Sequence, residues 1–121
     1  MTIQSFPYEL SVCKISKLDP ALLNDALCFV GKTDEELSLV CRTEHAPKDC
    51  IAREDGWKVF RIQGVLDFSL TGILARIAEL LAAAGIGIFA VSTYNTDYIL
   101  VKAENYRKAL EHLRADGYII E

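Results

Sequence analysis

The sequence predicts an α+β protein, because segments with the periodicity of strands alternate with two segments that have the periodicity of helices. Residues 57–63 alternate in polarity as a strand does, and residues 73–84 repeat aliphatic side chains at the spacing of one helix face. Gly85 and Gly117 follow the two predicted helices and suit their C-terminal ends. The second half therefore has the order β-α-β-β-α-β, which predicts a ferredoxin-like fold with two helices on one face of a four-stranded antiparallel sheet.

Composition and charge restrict the class of protein. The chain has 121 residues, of which 51% are apolar and 25% charged, as is typical of a folded globular protein. Its net charge is −4 and its longest basic cluster is Arg107-Lys108, so the positive surface that nucleic acid requires is missing. The apolar run 73–91 is interrupted by charges and glycines and is too broken to span a membrane. The N-terminus has no secretion signal, and we expect a cytoplasmic protein.

The first half of the chain predicts three strands and a short helix. Residues 8–15 alternate between apolar and polar side chains, as expected for a half-buried strand. Asp19 and Pro20 suit the cap and the first position of a short helix. Residues 27–32 and 37–42 are apolar segments joined by turn-forming residues, which predicts a hairpin. This order loosely repeats that of the second half, so we predict a tandem repeat.

The polar segment 43–56 marks the boundary between the two repeats. It is rich in charged residues and also contains proline and glycine, which is typical of a connection between folded units. We predict an N-terminal subdomain of residues 1–56 and a C-terminal domain of residues 57–121, which begins with the strand 57–63.

The first helix of the C-terminal domain has one aliphatic face. That face consists of Ile73, Leu74, Ile77, Leu80, Leu81 and Ala84. Ser69 or Thr71 is available to cap its N-terminus. Residues 86–93 are almost continuously apolar, which predicts a strand covered on both faces, and a turn at 94–97 leads back along residues 98–102. The second helix is indicated by Tyr106, Ala109, Leu110 and Leu113, and residues 118–120 suit a last strand.

All four cysteines lie in the first half of the chain, at positions 13, 28, 41 and 50. Disulfides are not expected without an export signal, and the three cysteines within apolar runs suit a core as free thiols. The set Cys41, His45 and Cys50 offers three ligands at looser spacing than structural zinc requires. We expect neither a metal nor a cofactor.

Two polar clusters flank the helix 73–84, namely Asp67-Phe68-Ser69 and the turn from Thr93 to Asp97. An amino acid ligand needs acceptors for its ammonium group and donors for its carboxylate. Asp67 and Asp97 are candidate acceptors, and the N–H groups near the helix N-terminus suit the carboxylate. The same residues also suit structural roles, since Asp67 and Ser69 can cap the helix and Asp97 can close the turn.

The stretch 66–74, followed by Ala84-Gly85-Ile86 and by residues 92–98, resembles the ACT-domain proteins. It is similar in particular to the small tandem-ACT family related to the cytosolic arginine sensors called CASTOR. The resemblance covers most of the chain and is strongest from Gly56 to Gly117. It implies regulatory binding of a small ligand, usually an amino acid, at an interface between ACT units, without catalysis. The predicted ligand-binding residues are Asp67, Phe68, Ser69, Gly72, Thr93, Tyr94 and Asp97; Thr93, Tyr94 and Asp97 match ligand-facing positions of the family's motif.

Two other classes of function remain open. A small ferredoxin-like hydrolase would need a phosphate-binding arginine in the loop 64–72, which has no basic residue, or a nucleophile beside a base. The two histidines, His45 and His112, are predicted in a surface linker and on a helix surface. A ligand-free module would self-associate through an exposed sheet edge. As partners we expect an amino acid or similar small ligand, a second copy of the chain as a homodimer and a regulated protein, but no nucleic acid or membrane.

Overall fold

Residues 1–64 and 71–121 are described by a computed structural model of the chain. The chain divides into two units, one formed by Met1–Pro7 with Lys58–Glu121 and the other by Tyr8–Trp57. Two long strands, β1 (Thr2–Lys14) and β4 (Ala52–Ile62), contribute residues to both units. The first seven residues thus group with the second half of the chain. That residues 1–56 and 57–121 are tandem ACT-like repeats stays a prediction.

The unit Tyr8–Trp57 is built on the hairpin that the sequence predicts. β2 (Cys28–Lys32) and β3 (Leu37–Arg42) pair antiparallel, and β3 also pairs antiparallel with β1. β4 is a hydrogen-bonded neighbour of β1, and just before β4 begins the Ile51 N–H donates to the Lys14 carbonyl at 2.8 Å. β4 begins at Ala52, inside the segment that was predicted to be a linker. Its first four residues are exposed and polar or small, so backbone pairing holds them in the strand. Because these residues show no hydrophobic alternation, the sequence does not reveal this part of β4.

The short helix of this unit is a single 3₁₀ turn, Pro20–Asn24. The Asp19 carboxylate accepts a hydrogen bond from the Ala21 N–H at 3.0 Å, so the prediction that Asp19 caps this helix is confirmed. A second 3₁₀ turn, Thr43–His45, follows β3.

Cysteines form much of the core of this unit. Cys13 and Cys41 are buried together with Ile15 and Leu39, and Cys28 and Cys50 pack against them. All four are free thiols, and the prediction that cysteine serves as a small core residue is confirmed. Burial raises the pKa of Cys13 to about 12 and that of Cys41 to about 11, so both thiols stay protonated at neutral pH.

The other unit contains the predicted βαββαβ order. Its elements after β4 are α1 (Ile73–Ala83), β5 (Phe89–Ser92), β6 (Asp97–Lys102), α2 (Ala103–Ala115) and β7 (Ile119–Ile120). The strands neighbour one another in the order β7, β1, β4, β6, β5. The prediction of four antiparallel strands was wrong, because β1 lies between β4 and β7 and pairs with β7 in parallel. Pairing between segments so far apart leaves no local pattern in the sequence.

Both helices pack on one face of this sheet, as predicted. Their buried residues form a single core with alternate strand residues: Ile77, Leu81, Tyr106, Ala109 and Leu113 from the helices, and Ile3, Phe60, Ile62, Ile99 and Val101 from the strands. Side chains alternate across a strand, so Arg61 and Tyr98 lie on the opposite face.

The ends of α1 depend on glycine. The N-cap residue is Gly72, with φ 80°, so the prediction that Thr71 caps the helix was wrong; Ser69 lies outside the described residues. The predicted stop at Gly85, with φ 75°, is confirmed. There the Ile86 N–H donates to the Leu81 carbonyl at 2.9 Å, which completes a left-handed C-terminal cap.

The strand predicted over residues 86–93 is shorter and less buried than expected. β5 comprises only Phe89–Ser92, and its residues are alternately half-buried and exposed. It ends the strand order of the unit, so it has one strand neighbour, β6, among the residues that the structure describes. The prediction that both faces of this strand are covered was therefore wrong.

Candidate functional site

The turn between β5 and β6 is fixed by its two threonines. The Thr93 N–H and hydroxyl both donate to the Thr96 carbonyl at 2.9 Å. The Thr96 hydroxyl in turn donates to the Ile62 carbonyl at 2.6 Å, and Thr96 is only 6% exposed. The turn is thereby held against the end of β4.

The structure brings three predicted site residues together in this hairpin. Thr93 is committed to the turn, Asp97 accepts a hydrogen bond from the Ser92 hydroxyl at 2.5 Å, and Tyr94 is 78% exposed. Gly72 lies at the start of α1. The remaining three predicted residues, Asp67, Phe68 and Ser69, lie outside the described residues. Ligand binding by these seven residues stays a prediction.

A cavity of about 200 Å³ lies where the hairpin turn meets the end of β4. It is lined by Arg61, Gln63, Gly64, Asn95, Thr96 and Tyr98. Every lining residue except Gly64 offers a polar side chain, so this cavity can bind a small polar molecule through several hydrogen bonds.

Arg61 is the one charged residue among the described residues that line this cavity, and neutral groups fix its position. Its Nη1 donates to the Tyr98 hydroxyl at 3.2 Å, and its Nε donates to Gln63 Oε1 at 3.1 Å. The guanidinium carbon also lies 5.1 Å from the centre of the Phe6 ring and 5.9 Å from that of Tyr98. These contacts orient the cation without neutralising it. A planar, oriented guanidinium of this kind suits a carboxylate.

Sequence reasoning missed most of this cavity. It predicted residues 57–63 only as a strand, without a site residue, and from the turn it selected Thr93, Tyr94 and Asp97 in place of Asn95 and Thr96. One signal was available, because an arginine between the apolar residues of a central strand is costly unless it has a binding or pairing role.

The described residues contain neither a set of metal ligands nor a helix able to span a membrane. They contain no group of three or more histidine, cysteine or acidic side chains placed to hold a metal ion. Neither α1 nor α2 is long and apolar enough to span a bilayer.

Solved structures with the same fold confirm the α+β, ferredoxin-like class. The crystal structure of protein Atu0741 from Agobacterium tumefaciens superposes with a TM-score of 0.87 and 29% identity, over 99% of this chain and 91% of that one. The regulatory subunit of aspartate kinase from Thermus thermophilus, in its ligand-free form, has a TM-score of 0.65 over 95% of this chain and 96% of that one. At 12% identity, the second match shows a shared fold alone.

Sequence comparisons match part of the chain to named relatives and to a family model. Bovine (Bos taurus) cytosolic arginine sensor for mTORC1 subunit 1 is 42% identical over 64 residues, which are 50% of this chain and 20% of that protein. The human (Homo sapiens) protein of the same name is 41% identical over 59 residues, 48% of this chain and 18% of that protein. The chain thus matches about a fifth of the length of these relatives. A family model of the ACT domain matches residues 52–115, which is more than half of the chain. The resemblance found in the sequence is confirmed, and the chain belongs to the ACT-domain family.

Proposed function

We propose that this chain is a regulatory protein that binds a free amino acid without catalysing a reaction, and that Arg61 binds the ligand's carboxylate. The observation that carries the proposal is an oriented guanidinium, held by neutral groups, on the wall of a small polar cavity. The name of the bovine and human relatives, cytosolic arginine sensor, supports an amino acid as the class of ligand.

The two charged ends of an amino acid need opposite partners. Arg61 supplies a bidentate donor for the carboxylate, and the side-chain amides of Gln63 and Asn95 supply further hydrogen bonds. The ammonium group needs a carboxylate, for which Asp97 in the hairpin and Asp67, three residues beyond Gly64, are the proposed partners. We propose that the other predicted residues, Phe68, Ser69, Gly72, Thr93 and Tyr94, complete the site.

A binding role fits the chemistry of the cavity better than a catalytic one. Its described lining contains no histidine, cysteine or lysine that could act as a nucleophile or general base. We propose that the chain acts in the cytoplasm, as the relatives' name suggests for them, and that a regulated protein partner responds to the ligand-bound state.

We also propose that two copies of the chain form a homodimer through β5. β5 is the last strand in the strand order of its unit. The hydrogen bond from the Thr93 N–H to the Thr96 carbonyl shows which backbone N–H groups of β5 point towards β6 and which point away from it. In that register the Ala90 and Ser92 N–H groups point away from β6, towards a second strand. Sedimentation velocity tests for the homodimer, and a monomer mass at every protein concentration would contradict the proposed dimer.

Calorimetry on an Arg61 variant tests the proposed ligand site. A thermal-shift screen of the amino acids first identifies the ligand, because a ligand that binds only the folded state raises the melting temperature. We then expect Arg61→Gln to weaken binding by about tenfold or more, since a charge-assisted hydrogen bond contributes about 1.5–3 kcal/mol. Arg61→Lys keeps the charge but loses the planar fork, so we expect intermediate affinity.

Arg107→Gln is the matched control. Arg107 is an arginine whose side chain is 94% exposed on α2, and its loss changes the net charge by the same amount. Affinity equal to wild type in this variant, with reduced affinity in Arg61→Gln, supports the site. Equal affinity in the wild type and in a folded Arg61→Gln variant would refute it, and so would the absence of any thermal shift at millimolar ligand.

A further inference from the structure

A second and larger cavity lies in the unit Tyr8–Trp57. Its volume is about 470 Å³, and its lining consists of Asp19, Ala21, Leu22, Asn24, Asp25 and His45. The cavity thus lies between the 3₁₀ turn Pro20–Asn24 and the turn that contains His45. Its volume falls in the range of about 300–1,000 Å³ that is typical of small-molecule sites.

Asp25 and His45 form an oriented pair in this cavity. The His45 Nδ1 atom lies 2.5 Å from Asp25 Oδ2, and the Asp25 side chain is 11% exposed. Burial opposes ionisation of Asp25, but the hydrogen bonds from His45 and from the Ala26 N–H outweigh it and hold the pKa of this carboxyl below its usual value. Asp25 is therefore ionised, and its carboxylate accepts a hydrogen bond from the Nδ1–H group of His45.

Asp19 supplies the charge that is available to a ligand. Arg42, 3.6 Å from Asp25 and stacked 4.2 Å from the centre of the Tyr8 ring, partly balances the charge of Asp25. Asp19 instead accepts one hydrogen bond, from the Ala21 N–H at 3.0 Å. A carboxylate has about four acceptor sites on its two oxygens, so Asp19 can accept further hydrogen bonds.

The lining as a whole is rich in acceptors and poor in cations. It contains two carboxylates, an imidazole, an amide and two aliphatic side chains, and no lysine or arginine belongs to the part that the structure describes. We propose that this cavity is a second ligand site, which binds a small organic cation with an ammonium or guanidinium group. The nitrogen donates to Asp19 and to the neighbouring acceptors, and the aliphatic part of the ligand packs on Ala21 and Leu22.

This chemistry is opposite to that proposed for the Arg61 cavity. A carboxylate ligand suits the guanidinium of Arg61, whereas the carboxylates of the second cavity repel it. Agmatine, which carries an ammonium and a guanidinium but no carboxylate, therefore selects the second cavity. Arg61→Gln should bind agmatine as the wild type does, so the two proposals can fail separately.

Calorimetry with agmatine on the full chain tests the inference. Asp19→Asn removes the charge but keeps a residue that caps a helix equally well, so the 3₁₀ turn is retained. We expect this substitution to weaken agmatine binding about tenfold. The matched control is Asp34→Asn, which removes the same charge from an exposed position in the turn between β2 and β3 of the same unit and should bind like the wild type.

Amide chemical-shift mapping on the wild-type chain gives a readout that needs no variant. Agmatine should shift the signals of residues 19–25 and of His45. No binding at millimolar agmatine would overturn the inference. Equal weakening by Asp19→Asn and Asp34→Asn would overturn it too, because long-range charge would then account for the effect. Shifts confined to the turn residues 95–98 would assign agmatine to the Arg61 cavity and refute the second site.

Discussion

The hydroxyl of Tyr106 connects α2 to two strands, and its removal gives a sharp test of how the ACT unit is held together. Tyr106 is 8% exposed; its hydroxyl donates to the Val59 carbonyl at 2.7 Å and accepts from the Phe6 N–H at 3.3 Å. Tyr106→Phe deletes these two hydrogen bonds and keeps the ring, whose centre lies 6.4 Å from that of Phe60. Removing one partner from a buried donor or acceptor costs about 1–3 kcal/mol, so we expect a loss of about 2 kcal/mol.

Urea denaturation followed by circular dichroism measures this loss. A loss of about 2 kcal/mol should lower the melting temperature by roughly 8 °C in a chain of this size. Tyr94→Phe is the control, because Tyr94 is 78% exposed and its substitution should change the free energy of unfolding by less than about 0.5 kcal/mol. If both variants unfold at the same urea concentration, the hydroxyl of Tyr106 does not bind α2 to the strands in the way described.

Two further predictions concern stability. Gly85→Ala should lower the free energy of unfolding, measured by urea denaturation, by about 1–2 kcal/mol, because Gly85 has φ 75°. Gly87→Ala is the control and should leave the free energy of unfolding unchanged. The φ of Gly87 is outside the left-handed region, and the added carbon meets no described atom within 4 Å. Equal losses would contradict the assigned role of Gly85. Burial raises the pKa of Cys13 to about 12 and that of Cys41 to about 11 from 9.0, so the folded state keeps protons that the unfolded state releases above pH 9. The free energy of unfolding should then fall by about 1 kcal/mol for each thiol as pH rises from about 9 to about 10. Cys13→Ala should make this dependence on pH less steep in urea denaturation. An unchanged dependence on pH would refute the raised pKa of Cys13.

The sequence predicts best those elements that local periodicity determines. The aliphatic spacing of residues 73–84 gives α1 and its buried face, because one helical turn returns a side chain to the same side. Gly85 and Gly117 mark both helix ends, because each adopts a positive φ there. The hairpin of β2 and β3 follows from two apolar segments with turn chemistry between them.

Features that depend on distant contacts were not predicted. The place of β1 between β4 and β7 depends on backbone pairing between the N-terminus and the C-terminus, which no local pattern encodes. The cavity around Arg61 requires that β4 and the hairpin turn lie side by side and that Tyr98 reaches the guanidinium. The polar clusters in the sequence pointed to the hairpin, but the cation that carries the proposed function lies on the neighbouring strand.

A crystal structure of the chain, grown with the amino acid that gives the largest thermal shift, tests the central claim most directly. We predict that the ligand's carboxylate accepts two hydrogen bonds from the Arg61 guanidinium, at about 2.7–2.9 Å, with the hairpin turn forming one wall of the site. A ligand bound away from Arg61, or an Arg61 cavity that stays empty at saturating ligand, would contradict the claim.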